Sequence, residues 1–224
     1  MCFNETTSWI AFIGISIVNI ASMIYMKEKK YTAIALIFQW VLLMQLFDAL
    51  AWRNQDCNST MNNVATRGAF LANVTQPIVA FLLFMVFLSD STTQIEKGIA
   101  TIVMLFYIIW LLNGTMNVKM TCLQKGDGCS NLNYYWWDIL QPGFMYHISL
   151  ILVILILLKP LKLSLAISGI IMGTLAVSMI YYSINMGNFE VSMLYKNCGI
   201  ASTWCFFAAF IPLFNMLAYK YLRV

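Results

Sequence analysis

Apolar residues run through this chain in blocks of about 18 or more, separated by short polar intervals. The blocks do not alternate with the period of two that barrel strands require. In lipid every backbone amide must find its partner within its own segment or within a closed barrel, so unbroken apolar blocks select helices. The pattern predicts seven spans, at about 8–26, 32–52, 68–88, 97–114, 141–158, 162–184 and 199–219. Only Lys159-Pro160-Leu161-Lys162 parts the fifth from the sixth. A proline and two lysines there predict a sharp turn at a membrane surface rather than one long helix. The expected fold class is all-α, a single seven-helix transmembrane bundle over residues 1–224.

Composition strengthens this reading. Of 224 residues, 61% are hydrophobic and 10% charged, whereas about a quarter of a soluble domain is charged. Mean hydropathy is +0.78. A soluble core could not hide this much apolar surface, so the bilayer is the expected partner and an integral, multi-pass membrane protein the expected location. The N-terminal stretch lacks a basic region before its apolar run: the first charge is Glu5 and the run starts at Trp9. It therefore reads as a first span that stays, not as a cleaved signal peptide.

Charge placement predicts orientation. With the N-terminus outside and the C-terminus in the cytoplasm, Lys27, Lys29, Lys30, Lys97, Lys159, Lys162, Lys220 and Arg223 fall on the cytoplasmic side, in short loops. Arg53, Arg67, Lys119, Lys125 and Lys196 fall outside, spread over longer ones. The four Asn-x-Ser/Thr sequons, at Asn4, Asn58, Asn73 and Asn113, all fall outside. Asn73 and Asn113 lie close to the bilayer, which leaves Asn4 and Asn58 as glycosylation candidates. Cys2, Cys57, Cys122, Cys129 and Cys198 also fall outside, and Cys205 lies within a span. An oxidising exterior suits disulfides: Cys122–Cys129 is a local candidate and Cys57–Cys198 a second, with free thiols the alternative.

The longest loop, about 115–140, ends in Tyr134, Tyr135, Trp136 and Trp137, read as an interfacial aromatic belt with a ligand lid as the alternative. Gly169 and Gly173 set a small-xxx-small pattern in the sixth span, suited to internal packing or to a dimer seam. The methionines are scattered and read as apolar filling rather than a copper path.

Candidate chemistry centres on Asp48, the one charged residue well inside a span. A carboxyl there must be protonated, paired or open to a wet cavity. Gln45 and Trp52, at i−3 and i+4, share its face, and Gln39 lies farther down the same helix. Further polar residues fall at similar depth: Asn73, Gln76, Gln141, His147, Tyr181, Thr203 and Trp204. Pro77 and Pro142 follow two of the glutamines, and helix breaks of this kind line cavities. The expected site brings Asp48, Gln45, Gln76, His147 and Trp204 together beneath the outer surface. The plainer alternative has Asp48 pairing with Arg53 near the interface, with His147 and the amides serving as interhelical glue.

Several chemistries are excluded. No lysine lies in the interior of a predicted span, Lys97 and Lys162 standing only at the first residue of theirs, so a retinal Schiff base has no attachment point. A single histidine cannot build a three-histidine zinc site. No phosphate-binding loop is present. No metal, cofactor or nucleic-acid partner is expected. Cys2 is a candidate nucleophile or lipid acceptor if Met1 is removed.

Three stretches taken together resemble a family of small, uncharacterised multi-span membrane proteins that open Met-Cys-Phe-Ser. They are Met1-Cys2-Phe3 with Ser8, the second-span pattern Gln45-x-x-Asp48-x-x-x-Trp52, and the run Ser202–Ala209 that contains Trp204-Cys205-Phe206. That family carries glutamate where this chain has Asp48, and serine where it has Asn4. The resemblance implies a multi-span fold and points to Cys2, Gln45, Asp48, Trp52, Trp204 and Cys205. It implies no activity.

Three function classes remain. One is a small transporter or channel for protons, ions or a small solute that uses Asp48. Another is a receptor-like bundle that binds an external ligand in an outer-half cavity. The third is an intramembrane enzyme using Cys2 or Asp48 with His147. Transport needs the least additional machinery, although no inverted repeat is evident in the sequence. Oligomeric state is not legible.

Overall fold

Asn4 starts the first helix. Its backbone is extended and its Oδ1 accepts the Thr7 amide at 2.8 Å, satisfying one of the N–H groups that a helix start leaves open. Helix α1 runs Glu5–Met26 and stops where Lys27 takes the left-handed conformation at φ 36°. Helix α2, Lys29–Arg53, turns back antiparallel to α1. Asn19 Nδ2 donates to the Ala35 carbonyl at 2.7 Å and to Gln39 Oε1 at 3.0 Å, and Gln39 Nε2 donates to Ser16 Oγ at 2.9 Å. In lipid such interhelical bonds do part of what the hydrophobic effect does in water.

The computed structural model describes residues 4–116, 122–125, 132, 134–140, 143–186 and 207–221. After α2, Ser59 caps α3, Thr60–Val74, and α4, Gln76–Phe87, follows at once. A 3-10 turn, Ser89–Ser91, leads to α5, Gln94–Thr115, whose start is fixed by a reciprocal Thr93–Glu96 capping box. The single turn α6 is Trp136–Ile139. Then come α7, Phe144–Leu157, α8, Leu161–Met186, and α9, Ile211–Tyr221. The chain is all-helical among the described residues, apart from one isolated bridge between Lys125 and Leu132.

Helices α1, α2, α5 and α8 are long and apolar enough to cross a membrane. The expected third span, 68–88, is a bent pair: α3 begins earlier, at Thr60, and meets α4 at 54°. Counted as one, the pair makes a fifth candidate. Helix α7 is apolar but has 14 residues, and α9 has 11. At 1.5 Å per residue they reach about 21 Å and about 16 Å of a ~30 Å hydrocarbon core. The expected spans 141–158 and 199–219 begin in residues outside those described.

Helix α1 is inverted relative to a water-facing helix. It buries Ser8, Ala11, Ile15, Asn19, Ser22 and Met26 and exposes Ile10, Ile13, Ile17, Ile20 and Ile24. Helix α5 likewise exposes Ile95, Ile99, Ile102, Phe106 and Ile109. Polar side chains turned inward and isoleucine stripes turned outward suit lipid as the solvent, because lipid accepts the isoleucines and cannot satisfy the amide and hydroxyls.

The helix ends sort into two groups. At one end, Lys29 pairs with Asp90 at 3.1 Å, Lys159 with Glu96 at 2.6 Å and Lys30 with Glu28 at 3.1 Å. Tyr219 of α9 packs edge-on against Tyr25 and Tyr31 at the same end. The opposite end carries the α2–α3 connection and residues 122–125. There a disulfide joins Cys57 to Cys122. This corrects both expected pairings, since Cys57 is not bonded to Cys198 nor Cys122 to Cys129. Cys129 and Cys198 lie outside the described residues.

The glycine pair of α8 has no close neighbour among the described residues. Gly169 and Gly173 are exposed, and a Cβ at either would meet nothing within 4 Å among the described residues, so none of those helices packs closely on the pair. Close approach occurs at Gly68 instead, where a Cβ would overlap the Phe47 ring.

Candidate functional site at a broken helix

Pro77 has no N–H to give the carbonyl one turn earlier, so a helix running through residues 73–77 loses a rung of its ladder. The chain bends there, and four consecutive residues at the bend each receive a hydrogen bond from an aromatic side chain of a different helix. Trp136 Nε1 of α6 donates to Asn73 Oδ1 at 3.1 Å. Tyr107 of α5 donates its hydroxyl to the Val74 carbonyl at 2.6 Å. Trp40 Nε1 of α2 donates to Thr75 Oγ1 at 3.0 Å. The Tyr146 hydroxyl of α7 donates to Gln76 Oε1. Asn73, Gln76, Tyr107, Trp136 and Tyr146 are all buried. In lipid a break of this kind persists only where protein groups satisfy the freed backbone.

Asp48 joins this node from α2. It is fully buried, about 7 Å from the helix end by its position five residues before Arg53. Tyr134 donates its hydroxyl to Asp48 Oδ1 at 2.5 Å, a length typical of O–H bonds to carboxylates. The Tyr134 ring stacks on Trp136, with centroids 4.9 Å apart and planes 11° from parallel. Asp48, Tyr134, Trp136 and Asn73 thus form a continuous path from the acid to the broken helix.

The segment that supplies Tyr134 is strapped down at its start. Beside the Cys57–Cys122 bond, Asn62 Nδ2 donates to the Asn54 carbonyl at 2.6 Å and the Leu123 carbonyl at 2.8 Å. Thr66 Oγ1 donates to Asn62 Oδ1 at 3.0 Å and accepts the Leu123 amide at 2.8 Å. The Lys125 amide reaches Gln55 Oε1 at 2.9 Å. Leu123, Leu132, Tyr134 and Trp136 are buried. Tyr134 and Trp136 are therefore not members of an interfacial belt: their polar atoms are used inside the bundle. The site expected to open outward has its acid fully buried, with this strap supplying Tyr134.

The other expected site residues fall as follows. Gln45 is buried on the face of Asp48, and Trp52 is half-buried one turn on, its Nε1 without a hydrogen-bond partner among the described residues. Arg53 is exposed and forms no ion pair among the described residues. His147 is buried and meets Tyr146 edge-on at 4.9 Å, which places it beside the residue that holds Gln76. Gln76 also borders a small apolar cavity between α2, α4, α7 and α8, with room for about one water. Its Nε2 has no partner among the described residues. Cys2, Gln141, Pro142, Thr203 and Trp204, and the Tyr181 side chain, lie outside the described residues. Asn4 is engaged as the α1 cap, whereas Asn58 is exposed beside the disulfide. No group of three metal-ligating side chains occurs among the described residues.

Of the residues gathered at the node, the sequence singled out Asp48, Asn73 and Gln76 for their polarity and Tyr134 and Trp136 as a belt or lid, and did not single out Tyr107, Tyr146 or Trp40. Their shared signal is a hydroxyl or indole N–H on a ring at membrane depth, which needs an acceptor when buried. Set against known proteins, the chain matches no family, no curated protein and no solved structure. The motif resemblance rests on its own residues.

Proposed function

We propose that the chain is a multi-pass membrane protein with seven spans, its lysine-rich end in the cytoplasm and its disulfide end outside, and that it is a small transporter or channel. The cargo class is protons, ions or a small solute, and Asp48 is the titrating or cation-binding group. The observation that carries this reading is the broken helix at Val74–Gln76, linked through Trp136 and Tyr134 to a buried acid. Discontinuous helices at membrane depth supply polar ends and amides where a cargo passes, and buried acids mark proton and cation paths. Asp48 is closed off in this conformation, and the strap is the outer gate: release of Tyr134 exposes the carboxylate. The lysine surplus at one end supports the orientation, and Asn58 is the better-placed glycan acceptor.

The strap favours a second reading as well. A ligand that binds the disulfide end would move Tyr134 and, through Trp136, the broken helix, which is the arrangement of a receptor.

The test is pH- and voltage-driven flux in proteoliposomes, wild type against Asp48→Asn. Flux that the substitution abolishes, in protein that still folds, supports transport. Absence of flux in wild type, across protons and common cations, rejects it in favour of the receptor reading.

A further inference from the structure

The lysine-rich end is over-supplied with positive charge. Among the described residues it holds Lys27, Lys29, Lys30, Lys97, Lys159, Lys162 and Lys220 against Glu28, Asp90 and Glu96. All three acids are already taken, by Lys30, Lys29 and Lys159 respectively. Lys97 donates to Ser89 Oγ at 2.9 Å. Lys27, Lys162 and Lys220 have no acidic partner among the described residues.

Lys220 stands where a ligand fits. A groove of about 420 Å³ lies between the last turns of α1 and α9, lined by Tyr25, Met26, Met216, Leu217, Tyr219 and Lys220. That volume falls within the range of small-molecule sites, roughly 300–1,000 Å³. No acid lines it. Its wall divides by chemistry: Met26, Met216 and Leu217 are flexible and apolar, while Lys220 supplies a cation and Tyr25, which is 70% exposed, a hydroxyl. The Lys220 ammonium sits 5.3 Å from the centre of the Tyr221 ring, which orients it without neutralising it.

We propose that this groove binds an anionic phospholipid, its phosphate on Lys220 and one acyl chain along Met216 and Leu217. Charge complementarity selects the lipid. The surface surplus is cationic, and a basic pocket between helices at the cytoplasmic face suits an anionic headgroup. A zwitterionic headgroup would bring its own cation to an already cationic site. The inference rests on the membrane reading and not on transport.

The experiment is native mass spectrometry of the full chain, released from micelles doped with equal amounts of phosphatidylglycerol and phosphatidylcholine of matched chains. Wild type should retain phosphatidylglycerol preferentially. Lys220→Gln should reduce that preference about fivefold, the effect of one lysine near an anionic headgroup. Lys162→Gln removes the same charge away from the groove and should leave it unchanged. Met216→Trp fills the apolar floor and should expel the lipid with every charge in place, a second test if Lys220→Gln does not fold. Equal retention of the two lipids by wild type overturns the proposal, as does an equal loss with Lys162→Gln, or retention undiminished in both groove variants. Those results leave the membrane reading intact, whereas chain recovered in the aqueous phase without detergent would reject that reading itself.

Discussion

Tyr134→Phe removes one oxygen and keeps the ring that stacks on Trp136. The lost interaction is a hydroxyl bond to a fully buried carboxyl group at 2.5 Å. A hydrogen bond to a charged group contributes about 1.5–3 kcal/mol net, so the variant should unfold more easily by that amount. For a chain of 150–250 residues this corresponds to about 3–12 °C in Tm. Asp48→Leu leaves the Tyr134 hydroxyl buried without that acceptor and should lose about 1–3 kcal/mol. The double variant removes both partners of this bond at once, so neither is left facing the gap of the other. The cycle therefore predicts strong non-additivity, with the double variant costing less than the sum of the singles by about 1.5 kcal/mol or more. Thermal unfolding in detergent, followed by tryptophan fluorescence, measures all four proteins. Additive losses would refute the Asp48–Tyr134 contact as an energetic link, and with it the strap as a gate over the acid.

Three further outcomes follow from the same geometry. Reduction of the Cys57–Cys122 bond, which spans 65 residues of sequence, should lower stability by up to about 4 kcal/mol on the loop-closure estimate; peptide mapping without reductant should recover the 57–122 linkage, and a 122–129 linkage would contradict it. Asn62→Asp should be worse than Asn62→Ala, because the two carbonyls served by Nδ2 would face an acceptor in place of a donor; equal melting temperatures would show that those bonds are absent. Gly68→Ala should destabilise by about 1–3 kcal/mol as the new methyl displaces the Phe47 ring, while Gly169→Ala, in open space, should be neutral or stabilising by up to about 1 kcal/mol; the reverse order in a melting series would reject this packing.

The helices were legible because lipid imposes a coarse, local rule. An apolar run either reaches across a bilayer or does not, and α1, α2, α5 and α8 fall close to the expected bounds. The break at Thr75 was legible in part: Pro77 announced it, but the polar residues Thr60–Asn63 hid the true start of α3. The acid was legible because burial makes a single carboxyl conspicuous. Its partner was not. Tyr134 lies 86 residues further on in a loop, and an aromatic cluster near a membrane surface has the same composition whether it rests on headgroups or folds into the protein. What separates the two is whether the hydroxyl and indole N–H find acceptors inside, which depends on tertiary contacts that no local pattern encodes. The disulfide and the Asn62, Thr66 and Gln55 hydrogen bonds together fix the start of the strap. With that start held against the α2–α3 connection, Tyr134 finds its acceptor in Asp48 and Trp136 in Asn73. Pairing Cys122 with Cys129 would instead close a loop local to the strap and leave its start held only by the Asn62, Thr66 and Gln55 hydrogen bonds. The expected cysteine pairing and the expected aromatic belt gave way at separate places but to the same kind of contact, one between residues far apart in sequence: Cys122 meets Cys57, and Tyr134 meets Asp48.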